Sequence, residues 1–369
     1  MTTTTITTVR VFDGTAMLEG SFDVTFTEQG ISAVTPSTEE RGESGTIIDG
    51  TGKTLLPGLI DAHVHFDSYA DLGEFTRWGL TTVLDMGTHP KSLVDSIRNQ
   101  RGLTDVRSSG SPASGPGSNQ TTKGGFALST VVTGPDDASR FVADRVAEES
   151  DYIKIIIEDP ASVGDVALSV DTIAAIVQAA HAVGLQTVAH ASSTAAFQLG
   201  IDAGVGILTH VPLNGPVTSE MTASMAAGSI RSIPTLTMMK GTASAVGLPD
   251  SGDGPGYQNA SASVAAMRAA GVMIAAGTDA NRAPFVPFSP VLGESMHDEL
   301  QLLVDVGLSP TEALRSATST AAALFGLEDR GSVREGSRAD LLLVIGDPTA
   351  DIAATRNIDQ VWAAGIPAS

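Results

Sequence analysis

His63 and His65 close the apolar run 54–66 (TLLPGLIDAHVHF), which carries a Pro57-Gly58 turn. Such a run reads as a buried strand. Side chains two apart on a strand project to one face, so both imidazoles point together at the strand's C-terminal end. Paired imidazoles pack poorly there but chelate a metal well. Other residues of ligand type recur near the ends of apolar runs: Lys154 inside DYIKIIIED (151–159), then His190, His210 and Asp279. Each has a plainer reading. His190 can be a core histidine, His210 a strand-end cap and Asp279 a turn cap. Lys154 is harder to dismiss, because an ammonium among isoleucines is disfavoured by desolvation.

Three or four imidazoles, a carboxylate and a bridging group make one or two Zn²⁺ sites. A bound metal lowers the pKa of its water to ~7, and two metals ~3.5–4 Å apart can share the hydroxide. A lysine joins such a centre only as a neutral amine, which reacts with CO₂ to give an anionic carbamate with two ligand oxygens.

The elements that must position these residues follow a regular alternation. Candidate strands cover 59–65, 80–86, 104–109, 152–157, 186–190, 206–210, 230–236 and 272–277. Helix-like segments lie between them, among them 90–99, 136–149, 170–183, 194–203, 219–227 and 261–270. Several begin at residues of N-cap type, such as Ser193 and Asp171, and end at Gly184, Gly204, Gly228 or Gly271. Eight strands each followed by a helix describe an α/β fold, the (β/α)8 TIM barrel, whose chemistry sits at the C-terminal strand ends. A doubly wound sheet would want a Gly-rich phosphate turn after a strand, and the sequence has none.

Both ends of the chain read as short strands and turns, over 5–13, 21–27, 45–49, 340–345 and 360–363. Neither end can build a core alone. The expectation is a composite β-sandwich from 1–54 and 332–369 beside a catalytic barrel over 55–331. The Ser-, Gly- and Pro-rich segment 108–125 is expected to be a long loop at the active-site face.

Composition narrows the function classes. A net charge of −21 over 369 residues repels phosphates, so no nucleic-acid partner is expected. The absence of cysteine excludes disulfides and thiolate metal sites. The start MTTTTITTVRVFDG lacks the basic and apolar regions of a secretory signal. No apolar run approaches the ~18 residues of a membrane helix. A soluble cytoplasmic protein with no membrane partner, assembled as a homo-oligomer, is the working expectation.

The order HxH, Lys, His, His, Asp on strands one, four, five, six and eight resembles the binuclear amidohydrolase superfamily, in its imidazolonepropionase-like branch. That branch includes metal-dependent dipeptidases, ochratoxin amidase and carbamate or urea hydrolases. Supporting stretches include LPGLIDAHVH, SDYIKI, TVAHASS, GVGILTH, IPTLT and AAGTDA. The resemblance implies one metal on His63, His65 and Asp279, another on His190 and His210, and a carboxylated Lys154 bridging them. It implies Zn²⁺, two per subunit, or Mn²⁺ or another divalent ion. Asp279 would act as general base on a metal-bridging hydroxide. The implied activity is hydrolysis of the C–N amide bond of a small molecule such as an N-acyl amino acid or dipeptide-like compound. Hydrolysis of a lactone, carbamate or urea is the alternative, and a non-catalytic barrel scaffold a distant third.

For substrate contacts, the strand-end loops offer His89, Leu213 and Met238, with Phe285 and Phe288 making the pocket partly apolar. Lys240 and Arg282 could pair with a substrate carboxylate.

Overall fold

The computed structural model describes residues 2–38 and 45–368. Met1, 39–44 and Ser369, which the sequence assigns to the terminal β unit, lie outside the described residues. The chain opens with β1 (Thr4–Val11), β2 (Phe22–Thr27), β3 (Gly30–Pro36), β4 (Thr46–Asp49) and β5 (Lys53–Pro57). Seven strands interleaved with helices follow: β6 (Leu59–Val64), β7 (Leu80–Asp85), β8 (Asp105–Ser108), β9 (Ile153–Ile156), β10 (Thr187–His190), β11 (Ile207–Thr209) and β12 (Arg231–Ser232). The chain closes with β13 (Leu341–Ile345), β14 (Ile358–Ala363) and β15 (Ile366–Pro367).

The two ends meet in one sheet. β13 runs antiparallel to β5, with Leu342 opposite Leu56, and the strand order is β15-β14-β13-β5-β1-β2-β3, with β4 on β1. The alternating apolar residues of these strands share a core that includes Ile6, Val9, Val24, Phe26, Leu343 and Trp362. Phe26 and Trp362 meet edge to face at 5.4 Å, and burying each apolar side chain of this size is worth about 1.5–3 kcal/mol.

The middle of the chain has the TIM-barrel type of arrangement. β6, β7 and β8 are parallel neighbours, as are β9, β10, β11 and β12. Every residue of β6, β7 and β9 is buried, as expected of parallel strands covered on both faces. Helices such as Val170–Ala182 and Thr194–Asp202 lie between them, capped by the hydroxyls of Ser169 and Ser193. The cap of the first is therefore Ser169 and not Asp171, which sits in the first turn.

The last two expected strands depart from the sequence reading. The seventh is only Arg231–Ser232, because Pro234 has no amide to continue the ladder and Thr235 turns left-handed, φ 49°, into the helix Leu236–Ala245. Residues 272–277 form no strand and touch their neighbours at the isolated bridge Ser232–Ile274. They still bond on both sides, the Ala275 amide donating to the Ser232 carbonyl and the Ala62 amide to the Ala276 carbonyl, and just beyond them the Thr278 amide turns to the Asp61 carboxylate. Two further bridges, Ala113–Ile155 and Val64–Ala280, span the remaining gaps between the parallel sheets. Among the described residues no single helix is long and apolar enough to cross a membrane.

Candidate metal centre

His63, on β6, is almost wholly buried, and His65 lies just past the strand's end, about one-third exposed. Their rings stand 5.6 Å apart. Asp279 reaches both: its Oδ1 lies 3.3 Å from His63 Nε2 and 3.2 Å from His65 Nε2. One ligand atom from each of these three residues falls within 4.8 Å of the others, the reach of a single ion. His210 follows β11 and sets its Nε2 3.8 Å from Asp279 Oδ2 and 3.1 Å from His190 Nδ1. Lys154, inside β9, is buried and its Nζ has no hydrogen-bond partner among the described residues. All six line one cavity.

Supports that the sequence reading did not single out fix this arrangement. Asp61 Oδ1 accepts the amides of His63 (3.1 Å) and Thr278 (3.0 Å), and Oδ2 accepts the Thr278 hydroxyl at 2.7 Å. That clamp ties β6 to the turn bearing Asp279, whose own amide donates to the His63 carbonyl at 2.7 Å. Asp61 was findable, being two residues before His63 and so on the same strand face. The outer ring nitrogens meet hydroxyls: His63 Nδ1 lies 2.8 Å from Thr209 Oγ1, and His210 Nδ1 2.5 Å from Thr235 Oγ1. Such contacts orient a ring so that Nε2 faces the centre.

The cavity encloses about 650 Å³. Phe66, Phe126, Met238, Met239 and Phe285 give it apolar walls. His89 lines it, its ring 4.2 Å from that of Phe126. Arg282 also lines it, although its guanidinium is engaged by Asp71 at 2.5 Å. Leu213 and Lys240 do not line it, a correction to their expected place near substrate. Leu213 is buried with its carbonyl accepting from Gly256 and Asn259. Lys240, on the helix Leu236–Ala245, turns its ammonium over the Tyr257 ring at 5.6 Å. The segment 108–125 does reach the cavity, through Pro112, Gln120, Lys123 and Gly124.

The amidohydrolase family model matches residues 54–366. The chain belongs to the amidohydrolase family. It is 32% identical over 206 residues to an imidazolonepropionase of Deinococcus deserti, covering 54% of this chain and 46% of that protein, about half its length. A crystal structure of a Xaa-Pro dipeptidase superposes with a TM-score of 0.83 at 23% identity, covering 99% of each chain. Ochratoxinase from A. niger gives 0.79 at 19% identity, covering 99% of this chain and 95% of that one. At these identities the two structures speak for the shared fold.

The amidohydrolase family is metal-dependent, and the donor set of this member fits a cation. Burial pushes the His63 imidazole down to about 3, with the Lys154 charge acting the same way. Burial also takes His190 down to about 4 and holds His210 well below its usual value. These rings are neutral at pH 7, the form that ligates. Burial would raise Asp279, but His63, His65 and His210 outweigh it and hold the carboxyl well below its usual range. Burial lowers Lys154 to about 7, which leaves much of its amine unprotonated at neutral pH. A buried carboxylate among neutral imidazoles is a donor set that a cation completes.

Proposed function

We propose that this amidohydrolase is a metal-dependent hydrolase of a C–N amide bond, acting on a small molecule such as an N-acyl amino acid or dipeptide-like compound. The observation that carries the reading is the meeting of His63, His65 and Asp279 within 4.8 Å. In our reading these three residues hold one divalent ion, and His190 and His210 hold a second. Zn²⁺ suits this imidazole and carboxylate set, with Mn²⁺ a workable substitute. Such an ion polarises the scissile carbonyl and lowers the pKa of water. Lys154 completes the set as a carbamate: its amine adds to CO₂, forming an N–C bond and releasing one proton.

The chain's own residues supply the rest. Asp279 takes the proton of the attacking water and delivers it to the departing nitrogen. Phe66, Phe126 and Phe285 take an apolar group of the substrate and exclude water. Lys123 lines the same cavity and makes no side-chain hydrogen bond or ion pair among the described residues. It is the cation free to meet a substrate carboxylate, since Arg282 is engaged by Asp71.

We also read residues 1–54 and 332–369 as a unit apart from the barrel, in the form of a small sandwich, joined by 55–57 because β5 pairs with β13 along its whole length. The support is a separate apolar core, and the break at Thr8, φ 55°, between the two ladders of β1.

The test is a turnover screen of metal-free and Zn²⁺-loaded protein against N-acyl amino acids, dipeptides, lactones and carbamates. Metal-dependent cleavage of an amide is expected. Full activity in protein shown by elemental analysis to be metal-free would refute the reading.

A further inference from the structure

Thr235, whose hydroxyl meets His210, is held in an unusual way. It is wholly buried and its backbone is left-handed, φ 49° and ψ 51°. A β-branched residue in that region costs about 1–3 kcal/mol and persists only where its surroundings fix it. It stands where the cap of the helix Leu236–Ala245 should be, yet makes no side-chain cap bond. Its hydroxyl is turned to His210 instead, 2.5 Å from Nδ1.

The capping comes from elsewhere. Glu299, on the helix Ser295–Asp305, is wholly buried. Its Oε1 accepts the Leu236 amide at 2.9 Å, and its Oε2 accepts the Thr237 amide at 2.7 Å and the Thr237 hydroxyl at 2.9 Å. A carboxylate there satisfies amides that the helix leaves open and lies against the positive end of its dipole. Three donors offset part of the cost of burying it, burial still pushing the carboxyl up to about 7.

We propose that Glu299 is a positioning residue for His210, capping the helix Leu236–Ala245 from outside so that the Thr235 hydroxyl is free to hold the imidazole. The contacts run from Glu299 to the amides of residues 236 and 237, from there to the strained Thr235, and from its hydroxyl to the ring. The role in metal binding rests on reading His210 as a ligand, whereas the role in fixing the ring does not.

The experiment uses the full chain and three readouts: the ¹⁵N–¹H signal of the His210 ring in metal-free protein, Co²⁺ retention and visible absorption, and the melting temperature. Glu299→Gln keeps the volume but removes the charge and one acceptor oxygen. It is expected to shift the His210 signal, change the Co²⁺ spectrum and weaken retention of one metal by about 10–100-fold. Thr235→Val should do the same, Thr235→Ser should remain near the unsubstituted protein, and the double variant should be no worse than Thr235→Val alone. A lower melting temperature with an unmoved His210 signal and unchanged metal retention would overturn the proposal and leave Glu299 a helix cap. Additive losses in the double variant would overturn it equally. If Glu299→Gln does not fold, Glu299→Asp and Thr235→Val carry the test, and an unmoved His210 signal in Thr235→Val decides against it. A His210→Ala protein that keeps both metals would instead refute the ligand reading, while the metal-free signal still reports on Glu299.

Discussion

His63 and His65 belong to a strand fastened directly to the turn that carries Asp279, through the Asp61 clamp and the bond from the Asp279 amide to the His63 carbonyl. His190 and His210 are brought together by the β10–β11 ladder, where the Ala191 amide donates to the Thr209 carbonyl, but the ring of His210 is oriented through a threonine hydroxyl whose helix is capped by a glutamate on another helix. Each half thus leans on one buried carboxylate that collects N–H and O–H donors. In the first half that carboxylate lies two residues from the ligand on the same strand. In the second it comes from a distant part of the chain. The supporting carboxylate of the first half is consequently placed by local spacing, whereas that of the second depends on how the helices Leu236–Ala245 and Ser295–Asp305 pack together.

The sharpest test of the first half removes the proton acceptor and little else. Asp279→Asn keeps the shape of the side chain, and loss of general base catalysis is expected to lower kcat by about 10²–10⁴-fold. The measurement is kcat with metal content determined on the same sample. A near-normal kcat at unchanged metal content would deny Asp279 the base role.

Lys154 joins the two halves and comes next in size. Lys154→Ala removes the candidate bridge, and loss of several kcal/mol of metal-assisted stabilisation corresponds to a fall on the order of 10²-fold or more. Metal content should fall with it, and added acetate or propionate should restore part of both by filling the gap. A full complement of metal in Lys154→Ala, with activity independent of bicarbonate in the unsubstituted protein, would remove the carbamate from the account.

These contrasts also explain what could be read from the sequence. All six candidate ligands were legible, because strand ends in an alternating α/β chain converge on one face. The hydroxyls of Thr209 and Thr235 were not, since nothing local distinguishes them from other threonines beside strands. Glu299 left a trace: with Met296, Leu300 and Leu303 it falls on the buried stripe of its helix, where an acid is out of place unless paired. Lys240 and Leu213 were misjudged for a different reason. Their place after a strand was legible but not the direction they take, and the early turn at Pro234 and Thr235 puts Lys240 on a helix facing Tyr257. The same turn shortened the seventh strand.

Asp61→Asn probes whether the first half is as self-contained as its bonds indicate. The amide oxygen can still accept, but its NH₂ cannot accept from Thr278, so one buried donor loses its partner at a cost of about 1–3 kcal/mol. Metal retention at the His63 and His65 position should weaken by about 10–100-fold, as is typical when a residue behind a ligand is changed. The His210 ring signal should shift less than that of His63, because the hydrogen bonds of Asp61 go to His63 and Thr278 and not to Thr235. Parallel shifts at both His63 and His210 would mean that the two halves are one coupled unit, and the comparison drawn above would fail.

The smallest expected effect lies outside both halves, at Lys123. This side chain is exposed at the cavity wall, so its pairing with a substrate carboxylate occurs in water and is worth about 0.2–1 kcal/mol. That corresponds to a rise in KM of roughly 1.4–5-fold for carboxylate-bearing amides in Lys123→Met, with kcat retained. The effect should shrink as salt is raised, because exposed ion pairs are screened over about 10 Å at 0.1 M. A neutral amide of the same size should show no change, since it offers the ammonium nothing to pair with. An equal KM increase for charged and neutral substrates would assign Lys123 to the packing of the 108–125 segment. A fall in kcat would instead place it within the reach of His63, His65 and Asp279, beyond the substrate-anchoring role assigned to it.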